Sequence, residues 1–93
     1  MYQVILSTQA RKSLHKYARS GSFPRAKFRG AVMHLRSGGI LPDSFRDHQL
    51  KGELSIYREL HLGYDLLVQY RRNEEKQIIT IAKIGTHTEL FGV

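Results

Sequence analysis

Apolar and polar residues alternate at the start of this 93-residue chain, recur at helical spacing through its first third, and alternate again towards its end. Tyr2 to Leu6 alternates weakly and favours β structure, which predicts a strand. Ser7 and Thr8 then offer helix N-caps. Ala10, Leu14, Tyr17 and Ala18 follow at helical spacing, while Arg11, Lys12, His15, Lys16 and Arg19 fill the other faces. Gly21 ends this helix. A second begins at Ser22-Phe23-Pro24, because proline suits a first helical turn. Phe28, Ala31, Val32 and Leu35 form its buried stripe, and Gly38-Gly39 ends it. So short a connection predicts an antiparallel helical hairpin.

Leu41 to Gly52 reads as irregular. Three strands follow. Leu54 to Leu60 alternates, with Leu54, Ile56 and Leu60 on one face. Asp65 to Arg71 is nearly continuous apolar and is expected to be central. Gln77 to Ile84 carries Ile78, Ala82 and Ile84 on one face, and Ile79 and Ile81 on the other. Gly63 and the charged run Arg72 to Lys76 supply the turns. The tail from Gly85 to Val93 turns back. The order β-α-α-β-β-β predicts an α+β fold: a helical hairpin on one face of a small, mainly antiparallel four-stranded sheet. With no repeat and no long linker, residues 1–93 read as one domain.

Composition narrows the class. Hydrophobic residues make up 41% and charged residues 25%, as in a soluble globular domain rather than a disordered chain. There is no apolar run near the ~20 residues of a membrane span. The N-terminus lacks the layout of a signal peptide. No cysteine is present, so disulfides and thiolate metal sites are excluded, and a reducing cytoplasm is the expected compartment. The net charge is +7, and the first 42 residues hold eight basic side chains and no acidic one. Such a field attracts polyanions, whether nucleic acid or an acidic protein segment.

The candidate chemistry lies in the histidines. His15 and His34 fall inside helices and read as surface or boundary residues. His48, His61 and His87 sit at strand edges or in irregular segments. In an antiparallel meander His61, Asp65 and His87 can share one rim. His48 joins them only if its loop reaches that face. Imidazoles titrate near pH 6.5, so one can accept a proton while another donates one. RNA cleavage needs such a pair, one group for the 2′-hydroxyl and one for the departing 5′-oxygen, with a cation for the phosphate. Arg46, Lys51, Arg58 and Lys83 are the nearby cations. Read from spacing alone, scattered loop histidines with no shared site are the alternative. Three histidines and Asp65 also form a legitimate zinc set, but none of their spacings is that of a metal motif. Phe91 is either a latch onto the core or a surface for stacking a base.

Three segments together carry a resemblance: Asp47-His48-Gln49-Leu50-Lys51-Gly52, Tyr57-Arg58-Glu59-Leu60-His61, and Gly85-Thr86-His87-Thr88-Glu89-Leu90-Phe91-Gly92, with Asp65 between the last two. In this order and spacing they resemble the YafQ branch of the RelE/ParE toxin superfamily, closely over residues 46–92 and in length and basic character before that. The resemblance implies a bacterial type II toxin: a ribosome-associated endoribonuclease that cleaves mRNA, inhibits translation and needs no metal or other cofactor. It places shared acid–base chemistry on His48, His61, Asp65 and His87, and contact with mRNA on Phe91. Lys83 stands where some members carry arginine, which keeps the charge but loses a bidentate grip on phosphate. The resemblance also implies a cognate antitoxin, and the basic helices suit an acidic, partly disordered segment wrapping the toxin. Ribosomal RNA and mRNA are the other implied partners. A non-catalytic inhibitor of DNA gyrase, as in other branches, is the alternative activity, and the histidines argue against it.

Overall fold

A computed structural model describes residues 1–38 and 40–92. The first strand, β1 (Gln3–Leu6), leads into helix α1 (Thr8–Ala18) and then α2 (Arg25–Ser37). Strands β2 (His48–Gln49), β3 (Arg58–Gly63), β4 (Leu66–Asn73) and β5 (Ile78–Gly85) follow, and a five-residue helix, α3 (His87–Phe91), ends the described chain. The strand order is β1-β5-β4-β3-β2, with β1 parallel to β5 and every other pair antiparallel. The α+β fold with its N-terminal helices on a mainly antiparallel sheet is therefore the expected one.

The helix ends follow the local chemistry. The Ser7 hydroxyl accepts the N–H of Ala10 at 3.0 Å and so caps α1. Gly38 closes α2 in the left-handed conformation (φ 73°), where Tyr2 packs within 2.8 Å of the space a Cβ would take. Gly39 and Val93, at the ends of two predicted segments, lie outside the described residues. Both helices pack on one face of the sheet. Ala10, Ala31 and Leu35 join Leu60, Leu62, Val68, Tyr70, Ile79, Ile81 and Ile84 in the core. Tyr17 stacks on Phe23, and Phe28 packs against Phe23 at a tilt of 60°, where the helices connect. Among the described residues no helix is long and apolar enough to cross a membrane.

Three features differ from the sequence expectation. The sheet gains a fifth strand, because His48 and Gln49 pair with Glu59 and Arg58. The strand expected from Leu54 begins only at Arg58. Leu54 and Ile56 are exposed, Gly52–Leu54 forms a 3-10 turn closed by the Ser55 N–H on the Gly52 carbonyl, and the Tyr57 N–H makes a further turn onto the Leu54 carbonyl. The Gln49 amide donates to the Ser55 and Tyr57 carbonyls, and the Leu50 N–H also reaches the Tyr57 carbonyl. In β5 the pairing shifts between Gln69 and Tyr70, so Ala82 is an extra residue. This bulge turns Ile84 to the same side as Ile79 and Ile81, against the simple alternation. The Ala82 carbonyl accepts the Ser7 hydroxyl at 2.6 Å, which ties the bulge to the start of α1.

Candidate active site

The candidate residues fall into two groups, one on the face of the sheet turned away from the helices and one at the end of the sheet. The first is built on the sheet edge. Cross-strand pairing sets His48 opposite Glu59, Glu59 opposite Gln69, and Gln69 opposite Lys83. Paired residues share a face, so these four side chains form one row. His61 lies two residues from Glu59 on the same face. Its ring lies beside that of His48, tilted by 33°, with centroids 5.7 Å apart. The His48 loop thus reaches the site as an edge strand beside β3.

Asp47 fixes this loop from the opposite face. Its Oδ2 accepts from Arg58 Nε at 2.9 Å and lies 2.7 Å from Arg58 Nη2. Its Oδ1 accepts the Tyr70 hydroxyl at 2.5 Å. Tyr70 is 1% exposed, and burial followed by the neighbouring carboxylate pushes its pKa up, so the phenol stays a donor. Arg58 also donates to the Gln49 side chain. Its guanidinium is thus held on the core side of β3 and is not brought together with the histidines. Arg46, in the left-handed conformation at φ 47°, turns the chain so that its carbonyl meets His48 Nδ1 at 3.0 Å.

The two imidazoles occupy different surroundings. His48 is half exposed and its Nε2 lies 3.6 Å from Glu59 Oε1. The Nδ1 of His61 is buried with no hydrogen-bond partner. Burial above all, then the Arg46 guanidinium, pulls the His61 pKa below its usual value of 6.5, with Glu59 opposing. Glu59 is 4% exposed, and its Oε2 accepts the Gln69 amide at 3.1 Å. Neither Glu59 nor Gln69 stands among the residues predicted for the site. The signal for Glu59 was present, since strand alternation sets it on the face of His61. Gln69 is hidden inside an apolar run.

The second group sits at the end of the sheet. Asp65, in the turn before β4, accepts from His87 twice: from the backbone N–H at 2.9 Å and from ring Nδ1 at 2.6 Å. These bonds, the backbone one first, draw the Asp65 pKa below the ordinary carboxylate value. With Nδ1 engaged, Nε2 of His87 is the nitrogen left to a substrate. Phe91, one helical turn on, lies beside it with ring centroids 6.5 Å apart. It is 39% exposed and does not join the hydrophobic core. Latching falls to Glu89 and Leu90, which press on Gly85.

One cross-strand line connects the groups. His61 pairs with Leu67 and Leu67 with Gly85, two residues before His87. Two strand spacings separate His61 from Gly85, about 10 Å between backbones. Between and beside them lie Lys83, in the row of Glu59 and Gln69, and Arg46. Lys51 is exposed in the loop after β2. His15 lines a groove between α1 and α2, and His34 packs edge-on against Phe45, both away from this face. Among the described residues no three His, Asp or Glu side chains converge closely enough to hold a metal ion.

Comparison with known proteins finds the same architecture. A family profile described as the bacterial toxin of type II toxin–antitoxin system, YafQ, matches residues 2–92. The mRNA interferase toxin YafQ of Escherichia coli (strain K12) is 33% identical over 52 residues, which is 56% of this chain and 54% of that protein. The matched stretch thus spans about half the length of that curated relative. A metal-bound toxin from Helicobacter pylori superposes with a TM-score of 0.87 at 31% identity, covering 98% of this chain and all of that one. A chain of the Escherichia coli DinJ–YafQ complex gives a TM-score of 0.83 at 25% identity, covering 99% of this chain and all of that one.

Proposed function

Since the chain belongs to the YafQ family of bacterial type II toxin–antitoxin toxins, we propose that it is an mRNA interferase, an endoribonuclease that cuts mRNA on the ribosome and so inhibits translation. The observation that carries this reading is the placement of three imidazoles: a His48–His61 pair with ring centroids 5.7 Å apart on the open face, and His87 oriented by Asp65 at the end of the sheet. The whole of 1–93 acts as one toxin domain in this reading.

Strand cleavage follows from that arrangement. One member of the His48–His61 pair takes the proton of the 2′-hydroxyl, and His61 suits this because its surroundings favour the neutral ring. The 2′-oxygen forms a bond to phosphorus as the bond to the 5′-oxygen breaks. His87, held by Asp65, gives its proton from Nε2 to the departing 5′-oxygen. The products are a 2′,3′-cyclic phosphate and a 5′-hydroxyl. Lys83, Arg46 and Lys51 meet the phosphates in this reading, while Arg58 serves by anchoring the loop that carries His48. Phe91 receives a base. The nucleophile is in the RNA and the proton carriers are in the protein, so no metal is assigned a step.

The basic α1 and α2 supply phosphate contacts to ribosomal RNA. An acidic antitoxin segment is the neutralising partner, and the bacterial cytoplasm is the site of action. DinJ–YafQ complexes are the precedent among relatives. The test is primer extension on a reporter mRNA after brief expression, wild type beside His87→Ala. Discrete in-frame cuts from wild type alone support the reading. Growth arrest with intact mRNA overturns it in favour of a gyrase inhibitor.

A further inference from the structure

A five-residue helix does not hold itself together, because nucleation costs more than one turn returns. Something outside α3 therefore fixes it. Glu89 is the link. Its Oε1 accepts the Thr86 N–H at 2.9 Å, and the Thr86 hydroxyl accepts the Glu89 N–H at 3.2 Å, which completes a capping box. The same carboxylate reaches across to α1: it accepts the Tyr17 hydroxyl, and its Oε2 accepts Lys16 Nζ at 2.9 Å. These partners lie 72 and 73 residues away in sequence.

The clasp is matched in charge and shape. The Tyr17 hydroxyl, the Thr86 N–H and Lys16 bring the Glu89 pKa down to about 2. Burial and the facing carboxylate push the Tyr17 phenol up to about 12. Donor and acceptor thus keep their roles across the physiological range. Gly85 makes the approach possible, since a Cβ there would lie 2.9 Å from Glu89 Oε1, 3.2 Å from Glu89 Cβ and 3.3 Å from Leu90 Cδ2.

Helical geometry gives the clasp a direction. Residues two apart lie about 200° around the axis, and residues four apart lie on one side. Glu89 therefore faces away from His87 and Phe91, which share the other side. One face of α3 is pinned to α1, and the opposite face presents the two residues assigned to RNA.

We propose that Glu89 is a positioning residue: by clasping Tyr17 and Lys16 it sets the pose of α3, and through it the places of His87 and Phe91. The proposal rests on the reading of those two residues as parts of the cleavage site. It makes α1 a support of the active site as well as a basic surface.

The experiment uses the full chain with Glu89→Ala, Tyr17→Phe and Glu89→Gln. Amide 15N relaxation of residues 87–92 and single-turnover cleavage of ribosome-bound mRNA are measured on each. Glu89→Ala is expected to loosen the α3 amides while the sheet amides keep their order, and to slow cleavage roughly tenfold or more at saturating ribosome. Tyr17→Phe retains every charge and is expected to give a smaller effect in the same direction. Glu89→Gln keeps the acceptor and is expected to recover most of the loss. Unchanged α3 order in Glu89→Ala overturns the clasp whatever the activity shows. Unchanged cleavage in Glu89→Ala, with His87→Ala inactive, overturns the positioning role. Full activity of His87→Ala instead overturns the functional reading, and the relaxation data still decide whether the clasp exists.

Discussion

Asp65 binds His87 at two atoms with a single oxygen, accepting the backbone N–H at 2.9 Å and ring Nδ1–H at 2.6 Å. The two residues lie 22 apart in sequence. They meet because β4 and β5 run antiparallel, so the turn before one and the exit of the other lie at the same end of the sheet. One bond sets where α3 begins, and the other sets which ring nitrogen carries the proton. The Asp65 pKa is lowered in the folded state. The stabilisation linked to that shift is therefore fully present above the unfolded carboxylate pKa, and is lost as pH falls through the lower folded one.

Asp65→Asn should separate these two effects. The amide can still accept the backbone N–H, but it no longer stabilises an imidazolium and can present the wrong tautomer to His87. Cleavage is expected to fall by roughly 10²-fold or more while the fold persists. Single-turnover rates and the 15N shifts of the His87 ring check this. An unaltered rate would exclude Asp65 from orienting His87.

The Asp47 cluster yields a stability prediction. Asp47→Ala leaves the Tyr70 hydroxyl unpaired in the core and releases Arg58. The expected cost is about 1–3 kcal/mol in denaturant unfolding. Tyr70→Phe removes the stranded donor, so the double variant should lose less than the sum of the two single losses. Strict additivity would mean that the bond contributes nothing. The pairing of His48 with β3 should weaken with Asp47→Ala, since Asp47 holds the turn that aims it.

How legible the molecule was in its sequence varies residue by residue. Ala10, Ala31 and Leu35 follow the helical period, so both helices and their buried faces could be read directly. Asp65 and His87 could be placed together from strand connectivity alone. The edge strand at His48 could not, because two residues carry no periodicity; its pairing depends on Asp47 reaching Tyr70, a contact 23 residues long. The bulge at Ala82 was equally silent, for it shows only in the pairing with Gln69 and Tyr70. Glu59 is legible as a charge in an alternating strand, and a carboxylate on the face of His61 is a signal in itself. In Gly85-Thr86-His87-Thr88-Glu89-Leu90-Phe91-Gly92 the conformational and chemical roles interleave. Gly85 admits the helix, Thr86 and Glu89 cap it, and Gly92 ends it at φ 72°.

The proposal that cleavage needs no metal has a direct test. Toxin treated with a chelator and then desalted, before it meets ribosomes in their normal magnesium buffer, is expected to cut as fast as untreated toxin. A loss restored by zinc or copper, but not by magnesium, would assign a transition metal a place in the reaction.

The pH dependence of cleavage tests His61 as a proton acceptor. Burial, with the Arg46 guanidinium, lowers its pKa from 6.5, so the ring is neutral, and able to accept a proton, at pH values where an exposed imidazole is half charged. The acid limb of the single-turnover rate is therefore expected below pH 6.5. The sign also holds for stability: the unfolded chain binds the proton more readily, so the contribution of His61 is present above pH 6.5 and is lost as pH falls below it. Two substitutions should move the limb in opposite directions. Arg46→Ala removes a charge that disfavours the imidazolium and should shift the limb up. Glu59→Gln removes a charge that favours it and should shift the limb down. Whatever these variants do to the absolute rate, the position of the limb is the readout. Opposed shifts place the titrating base in the His48–His61 pair beside Arg46 and Glu59, and their loss in His61→Asn but not in His48→Asn assigns it to His61; a limb that stays in place in both variants assigns the proton to another group.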